Sequence, residues 1–357
     1  MKPLSFVIIG SGYRSLYYAR IAKRYPEQFD LKYMFCRTQE KADKMTAEFG
    51  VPTTISMEEC EAANPDFVVV VVNKGSICEV TKQWALKGYP VLCETPAALT
   101  VNELKELWTL VQGGARIQVA EQYHRYPAMA AGLKAIAEGK LADPYAVTLS
   151  MAHDYHGTSL IRRMLNPKDP MTVRLESVIG RQYKLPVRET DSRYGAITDG
   201  STKVRERDVM TMRYSDGRVA FYDFSGVQYR SFIRSRHVNV QGQDGEWNDA
   251  WIRYVDRDFK PVEEKLTPWL DPKYACLVTD ELRKECEEWT GTVGMSQLQD
   301  EYALATMMYD MRAYIEKGIE VYPMAEALED AYQFLLMKEA MANPDILVQS
   351  EPMPWRI

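Results

Sequence analysis

Short apolar runs alternate with amphipathic segments over residues 1–122. Unbroken β-branched runs such as 67–72 predict central parallel strands that are covered on both faces. Between the runs, apolar residues recur three and four positions apart, which is the spacing of one helix face. The first such set is Tyr18, Ile21, Ala22 and Tyr25. This alternation of strands and helices predicts an α/β domain with a doubly wound parallel sheet.

The pattern changes beyond this first domain, where strands follow one another with few helices between them. Two of the strands, 209–214 and 219–224, flank an S-D-G tripeptide that favours a hairpin turn. A long strand is predicted over 145–155 and a short helix over 160–165. The last three predicted helices are 275–289, 297–317 and 326–341. We therefore predict a second, α+β domain over 123–357 with a large, mostly antiparallel sheet.

A glycine turn follows the first apolar run. Gly10 and Gly12 stand there, and neither carries a Cβ that would keep a ligand away from the backbone. A helix that begins at such a turn points free N–H groups and its positive end at a pyrophosphate. Ser15 occupies the third position of G-x-G-x-x-G, and it is small enough for helix–strand packing. We expect this turn, including Tyr13 and Arg14, to bind a dinucleotide.

The end of the second predicted strand lacks the acid that binds a ribose hydroxyl in many dinucleotide folds. Arg37 follows Cys36 there, and a guanidinium pairs with a 2′-phosphate where a carboxylate would repel it. The chain thus leans towards NADP over NAD. Two other interpretations of Arg37 remain, a stack on the adenine and a solvated arginine at a strand end. The rest of the predicted cofactor site comes from later strand ends, namely Asn73, Glu94, Thr95 and Gln122.

Composition indicates an ordinary globular protein. The chain has 357 residues, 46% of them hydrophobic, and a net charge of −6, which suits two domains. The chain is acidic overall and has no block of basic residues, which argues against a surface that binds nucleic acid or membranes. The first apolar run is too short for a signal-peptide core and no run reaches transmembrane length, so we expect a cytoplasmic protein. The six cysteines lack C-x-x-C spacing, and no metal site is expected.

Four motifs jointly resemble the Gfo/Idh/MocA oxidoreductases, the family of glucose–fructose oxidoreductase and inositol dehydrogenase. They are Gly10-x-Gly12, Cys93-Glu94-Thr95-Pro96-Ala97-Ala98, Glu121-Gln122-Tyr123 and Tyr322-Pro323-x-x-Glu326-Ala327-Leu328-x-Asp330-Ala331. The resemblance implies an N-terminal Rossmann domain that binds NAD or NADP. It also implies a C-terminal open-faced sheet that binds a sugar or cyclitol, and a homo-oligomer, either a dimer or a tetramer.

The chain departs from the family's pattern at the positions that carry its chemistry. The usual E-K-P lysine is replaced by Thr95, whose hydroxyl is not a base near neutral pH. The second signature, G-G-x-L-x-D-x-G-x-H, aligns best with residues 157–166, where its Asp becomes Arg162 and its His becomes Asn166. Both standard catalytic groups are therefore missing. Arg162 is either a solvated charge or, if it faces the cleft, a partner for a carboxylate or an enolate.

Histidine is the residue type that can replace the missing base, since its pKa lies near neutral pH. His153 and His156 are two of only four histidines, and we predict His156 as the base, with His153 or Tyr155 second. A spacing of three at a strand end would turn the two imidazoles in different directions. Tyr123 and His124 begin the second domain and are further candidates. For each histidine the alternative is a hydrogen-bonded residue of the core or the surface.

The second domain also offers hydroxyl and amide groups to a polyol, because such groups both donate and accept hydrogen bonds. The predicted substrate residues, with Arg162 for an anionic group, are Tyr155, Ser159, Asn166, Tyr183 and Tyr194. A metal site from His153, His156 and Glu121 has little support, because no helical H-x-x-x-H pair is present.

Three functions fit these residues. The first is NAD(P)-dependent oxidation of a secondary hydroxyl of a sugar, a sugar derivative or a cyclitol. The second is redox-neutral glycoside cleavage, in which transient oxidation acidifies the neighbouring C–H, the anomeric group is eliminated and the hydride returns; Thr95 and Arg14 resemble members of that type. The third is a non-catalytic sensor of sugar and dinucleotide, which the loss of both signature residues favours and the two histidines disfavour. We rank the dehydrogenase first because it is the commonest activity on this scaffold.

Overall fold

The computed structural model describes residues 2–192, 195–291, 294 and 296–356. Its first sheet consists of parallel strands. In chain order they are β1 (Leu4–Ile9), β2 (Phe29–Phe35), β3 (Thr53–Thr54), β4 (Phe67–Val70), β5 (Val91–Cys93) and β6 (Ile117–Val119). The helices between them are α1 (Ser15–Arg24), α2 (Gln39–Phe49), α3 (Met57–Ala62), α4 (Ile77–Leu86) and α5 (Val101–Gln112).

The order of this sheet is β3-β2-β1-β4-β5-β6, so the chain crosses to the other half of the sheet between β3 and β4. The carboxyl ends of β1 and β4 therefore lie side by side at a topological switch point, where open α/β sheets bind ligands. Every residue of β1 and β4 is buried, as their unbroken apolar runs predict. The predicted doubly wound parallel sheet is confirmed.

The second sheet is mixed and mostly antiparallel. Its strands are β7 (Pro144–Ser150), β8 (Leu175–Arg188), β11 (Thr202–Tyr214), β12 (Val219–Phe224), β13 (His237–Gly242), β14 (Gly245–Asn248), β15 (Trp251–Val255), β16 (Pro261–Lys265) and β17 (Val348–Gln349), while β9 (Asp191–Ser192) and β10 (Gly195–Ala196) pair separately. The order is β16-β15-β14-β13-β7-β12-β11-β8-β17, and only β7 and β12 pair in parallel among these described neighbours. The predicted hairpin is confirmed, with Arg213 opposite Val219.

Helices of the second part of the chain pack on the second sheet and also contact helices of the first part. The helices of the second part are α6 (Pro127–Ala137), α7 (Asp154–Leu165), α8 (Asp280–Glu287), α9 (Gln297–Lys317) and α10 (Met324–Ala342). Helices α7 and α10 pack on the second sheet, while α9 also contacts α1 and α10 also contacts α5. The other face of that sheet exposes Val209 and Phe221. In the described residues, no helix combines the length and the apolar character that crossing a membrane requires.

The segment before α7 differs from its prediction. The predicted strand 145–155 ends at Ser150, and α7 already begins at Asp154. Asp154 has φ +48°, so the chain turns sharply there, and its N–H donates to the Tyr222 hydroxyl. Met151 and Ala152 are also buried, so the apolar residues continue past the end of the strand into the turn. This shift moves His156 from a strand end to the first turn of a helix.

Candidate active site

The two glycines of the first turn have different functions in the structure. Gly10 has φ +127°, and a Cβ placed there would lie 2.1 Å from the carbonyl oxygen of Val71. Gly10 therefore allows the end of β1 to pack against the end of β4. A Cβ on Gly12 would meet nothing within 4 Å, and the Gly12 N–H donates to the Ser15 hydroxyl at 3.2 Å. The open side of the turn is thus at Gly12.

A cleft of about 750 Å³ lies beside this turn and the ends of β2 and β4. Among its lining residues are Gly10, Gly12, Tyr13, Arg14, Arg37, Thr38, Lys41, Asn73 and Ser76. The volume is within the range of small-molecule sites. Two cations, Arg37 and Lys41, lie at one end, and none of the lining residues in the described part of the chain is acidic. The glycine cradle, the helix start and this charge fit a dinucleotide phosphate.

Arg14 makes ion pairs inside the protein as well as lining the cleft. Its Nε donates to Glu94 Oε1 at 2.7 Å, and its Nη1 donates to Asp300 Oδ2 at 2.7 Å. Glu94 also accepts the Tyr18 hydroxyl at 2.8 Å and the Thr95 N–H at 3.2 Å. The predicted cofactor residues Arg14, Glu94 and Thr95 are therefore brought together, and Glu94 is held by three donors.

Asp300, near the start of α9, is a member of this network that the sequence did not indicate. Its Oδ1 accepts the Tyr126 hydroxyl at 2.7 Å and Gln122 Nε2 at 3.0 Å. Burial would raise the pKa of Asp300, but the Arg14 guanidinium and these two donors outweigh burial and lower the pKa. Asp300 lies 178 positions from Gln122 in the chain, so no local motif relates the two.

His156 lies beside a fully buried carboxylate. Its Nδ1 is 2.5 Å from Glu121 Oε2, and Glu121 has 0% exposed surface. Glu121 Oε1 accepts the Tyr123 N–H at 3.1 Å, and the Tyr123 ring stacks on the imidazole with centroids 4.1 Å apart. The imidazole is therefore fixed in orientation by a hydrogen bond and by a ring contact.

His153 lies next to His156, with ring centroids 5.0 Å apart. The prediction that the two imidazoles point in different directions is wrong, because the turn at Asp154 brings His153, the residue before α7, next to the first turn of that helix. His153 Nδ1 is 2.5 Å from the Tyr229 hydroxyl, and that hydroxyl is 3.2 Å from the Tyr123 hydroxyl. The two histidines thus have different partners, a phenol for His153 and the Glu121 carboxylate for His156.

Burial dominates the protonation of this cluster. It raises the pKa of Glu121 to about 8 and lowers the pKa of His156 to about 3. Both directions favour the state in which Glu121 keeps a proton and the imidazole is neutral. Lys74 and Arg14 further lower the pKa of His156, while Glu94 and Asp300 raise it. Charged side chains at the strand ends of the first sheet therefore influence the pKa of His156.

Three predicted substrate residues are held in the core or in a turn. Arg162 is fully buried in a 2.5 Å ion pair with Asp330, so its predicted contact with substrate is wrong. Asn166 ends α7, about 15 Å along the helix axis from His156, and its Oδ1 accepts N–H groups of its own turn. Tyr155 is 2% exposed, and its hydroxyl is buried without a partner among the described residues. The polar groups of Arg162 and Asn166 are therefore occupied by the fold, whereas the Tyr155 ring lies edge-on to His156 with centroids 5.9 Å apart.

The remaining candidates are dispersed. His124 accepts from Arg125 and lies against Tyr322, whose hydroxyl pairs with Ser159. Tyr183 is exposed on β8, and Tyr194 lies outside the described residues. Nowhere in the described ranges do three His, Cys, Asp or Glu side chains meet in a geometry that could hold a metal ion.

A contact between the first sheet and α7 was also missed from the sequence. Lys74 follows β4, and its Nζ lies 4.0 Å from Asp154 at the start of α7. The Lys74 side chain is half exposed in this pair. Lys74 thus connects the strand ends of the first sheet with the helix that carries His156.

Comparisons with known proteins agree with this architecture. A model of the oxidoreductase family with an NAD-binding Rossmann fold matches residues 4–121. No curated protein matches the sequence. Similar solved structures include an NAD-binding oxidoreductase from Klebsiella pneumoniae, with a TM-score of 0.70, 15% identity and coverage of 98% of this chain and 100% of that chain. Another is an oxidoreductase from Agrobacterium radiobacter in complex with NAD⁺, L-tartaric acid and magnesium, with a TM-score of 0.70, 12% identity and coverage of 97% of this chain and 98% of that chain.

Levoglucosan dehydrogenase in complex with NADH and levoglucosan has the same fold, with a TM-score of 0.70, 16% identity and coverage of 98% of this chain and 100% of that chain. At these identities the structures establish the fold. Residues 4–121 match the model of the oxidoreductase family with an NAD-binding Rossmann fold, and the strand order of the first sheet agrees with that fold.

Proposed function

We propose that the chain is an NAD(P)-dependent dehydrogenase acting on a secondary hydroxyl of a sugar, a sugar derivative or a cyclitol. In this proposal His156 takes the hydroxyl proton. The observation that carries it is the 2.5 Å contact between His156 and the buried Glu121, because a carboxylate partner orients an imidazole for proton transfer. The similarity in fold to levoglucosan dehydrogenase supports the substrate class.

The cleft beside the glycine turn would hold the cofactor, with Gly12 and Asn73 on the phosphate and ribose side. A bound NAD(P)⁺ supplies the hydride acceptor. We propose NADP as the preferred form, since Arg37 and Lys41 line the cleft with no acid among its described lining residues. Two cations favour an added phosphate, whereas NAD recognition usually uses an acid at this point.

The chain's own residues account for the steps on the substrate side. Neutral His156 accepts the proton as the hydroxyl is oxidised, and the stacked Tyr123 ring keeps the imidazole in place. His153 and Tyr229 offer a ring nitrogen and a hydroxyl to the neighbouring substrate hydroxyls. Thr95 replaces the family lysine and is assigned no proton transfer.

Redox-neutral glycoside cleavage is the second candidate, and the pair of imidazoles favours it. That reaction needs one base for the hydroxyl and a second for the acidified C–H, and His153 lies beside His156. A panel of levoglucosan, inositol, aldoses and aryl glycosides with either cofactor separates the two functions. Dehydrogenation accumulates reduced nucleotide and ketone in equal amounts. Cleavage releases the aglycone and exchanges the C2 proton with solvent while the nucleotide stays oxidised.

The same panel tests the third function, a sensor. A sensor binds a sugar and a dinucleotide, measurable by calorimetry, without either reaction. We also propose that the chain forms a homo-oligomer through the face of the second sheet that exposes Val209 and Phe221, because exposed apolar side chains in a sheet favour association. Light scattering of wild type and Phe221→Asp measures this, with a lower mass expected for the variant.

A further inference from the structure

We infer that Glu121 and His156 form one proton-accepting dyad, in which Glu121 selects the ring nitrogen of His156 that carries hydrogen and receives the proton released by oxidation. The inference rests on the proposed function and deepens it, since it assigns a second acid–base residue to the same site.

The contacts of Glu121 leave it a single partner for proton exchange. Its Oε1 accepts the Tyr123 N–H, and its Oε2 faces His156 Nδ1 at 2.5 Å. Among the ion pairs in the described part of the chain, Glu121 has only this one. The carboxyl group has 0% exposure, so a proton reaches or leaves it through the imidazole.

The protonation of Glu121 decides whether His156 can act as a base. A protonated Glu121 donates its O–H to Nδ1, and a neutral imidazole then carries its hydrogen on Nε2. That nitrogen has no lone pair for a substrate proton. An ionised Glu121 accepts from Nδ1–H instead, which frees the lone pair of Nε2. The His156 side chain is 11% exposed, and Nε2 has no hydrogen-bond partner among the described residues.

The proton balance of the reaction follows from this arrangement. Oxidation of the alcohol breaks its O–H and C–H bonds and forms the carbonyl; the C–H electron pair leaves as hydride to the oxidised nicotinamide. The hydroxyl proton goes to Nε2 of His156, and the Nδ1 proton goes to Oε2 of Glu121. The dyad ends one proton richer, and solvent removes that proton through Nε2 before the next turnover.

The pH dependence has a defined sign. Burial raises the pKa of Glu121 to about 8, so the base form of the dyad grows as the pH rises through that value. Oxidation should therefore speed up towards alkaline pH, and carbonyl reduction should slow down. The charged and titratable groups around the dyad are Arg14, Lys74, Glu94, Tyr123, His153, Tyr155, Arg163, Asp300, Tyr322 and Asp330.

His153 provides an internal control. Its partner is the Tyr229 hydroxyl, and burial raises the pKa of Tyr229 to about 12. A phenol with that pKa does not ionise near neutral pH, so it cannot switch the tautomer of His153. The two neighbouring imidazoles should therefore respond differently to pH.

Nitrogen NMR of the full chain with ¹⁵N-labelled histidine tests the dyad without cofactor. Each ring is assigned by its own His→Gln variant. We expect the hydrogen of His156 to move from Nε2 to Nδ1 as the pH rises through about 8, and His153 to keep one tautomer. Glu121→Gln should abolish the change at His156, whereas the matched Tyr229→Phe should retain it.

Kinetics give the second measurement. Oxidation by Glu121→Gln should be at least about 100-fold slower at alkaline pH, the usual scale for lost acid–base catalysis, and should lose the limb near pH 8. Tyr229→Phe should keep that limb. A single wild-type tautomer of His156 between pH 6 and 9, or a switch that survives in Glu121→Gln, overturns the dyad. A wild-type oxidation rate in His156→Gln would overturn both His156 as the base and the dyad as proton acceptor, whereas slow oxidation in His156→Gln without a tautomer switch in the wild type would overturn only the dyad.

Discussion

The glycine turn after β1 and the histidine pair at the start of α7 make up the two sides of the proposed reaction, and they depend on different parts of the chain. The turn works through backbone shape: Gly10 fits against Val71, and the space beside Gly12 is open. The histidine pair works through side chains from distant segments, since Glu121 lies 35 positions from His156. The proposed nucleotide side therefore depends on glycine backbone, whereas the proposed proton chemistry depends on side chains that tertiary packing brings together.

The largest expected effect is on the histidine side. His156→Gln should lower turnover about 100-fold or more, the usual scale for a lost general base, with little change in cofactor affinity. His153→Gln should lose less, because its partner is a phenol. Steady-state rates with the substrate that the panel identifies measure both. Thr95→Lys in the His156→Gln background should not restore activity; restoration would return the base role to the family's lysine position.

The two glycines provide the matching test on the nucleotide side. Gly10→Ala places a Cβ against the Val71 carbonyl at a positive φ, so we expect about 1–3 kcal/mol lower stability. Gly12→Ala meets no neighbour within 4 Å and should unfold like wild type while binding the dinucleotide more weakly. Thermal melts and calorimetric titration measure these effects. Equal stability losses in the two variants would remove the distinction between them.

A smaller effect is expected at the cofactor's ribose. Arg37→Ala should lower the ratio of NADP to NAD affinity by about tenfold, since a charge-assisted hydrogen bond contributes about 1.5–3 kcal/mol. Fluorescence titration with both reduced cofactors gives the ratio, and Lys41→Ala tests the second cation of the cleft in the same way. An unchanged ratio in both variants would leave NAD and NADP equivalent for this chain without affecting the dinucleotide assignment.

The smallest expected effect is at the contact between the two sides. Lys74 and Asp154 form a partly exposed pair at 4.0 Å, and such pairs contribute up to about 1 kcal/mol. Asp154→Asn should therefore raise KM less than about fivefold and leave kcat nearly unchanged. The effect should shrink further in 0.5 M salt, because salt screens exposed charges. A loss as large as that of His156→Gln would give Asp154 a direct role in the chemistry.

The sequence predicted the fold better than the site for physical reasons. Apolar runs and glycines indicate local backbone conformation, so the first sheet and the glycine turn were predictable. The interpretation of His153 and His156 depended on whether a strand or a helix carries them, and the turn at Asp154 decided this. Arg162 was misplaced because an arginine on a helix gives no sign that Asp330 will neutralise it in the core. The network on Asp300 was missed because tertiary packing alone brings it together with Arg14.

In the proposed dehydrogenase, a hydride leaves the substrate for the nicotinamide and stays there while His156 takes the proton. A single turnover with the active polyol, deuterated at all its ring carbons, tests this directly by mass spectrometry of the nucleotide. We expect one deuterium on the reduced nucleotide for each ketone formed, and a much slower transfer in His156→Gln. Oxidised nucleotide free of deuterium at the end of the turnover, with the label back on the sugar or in solvent, would contradict it.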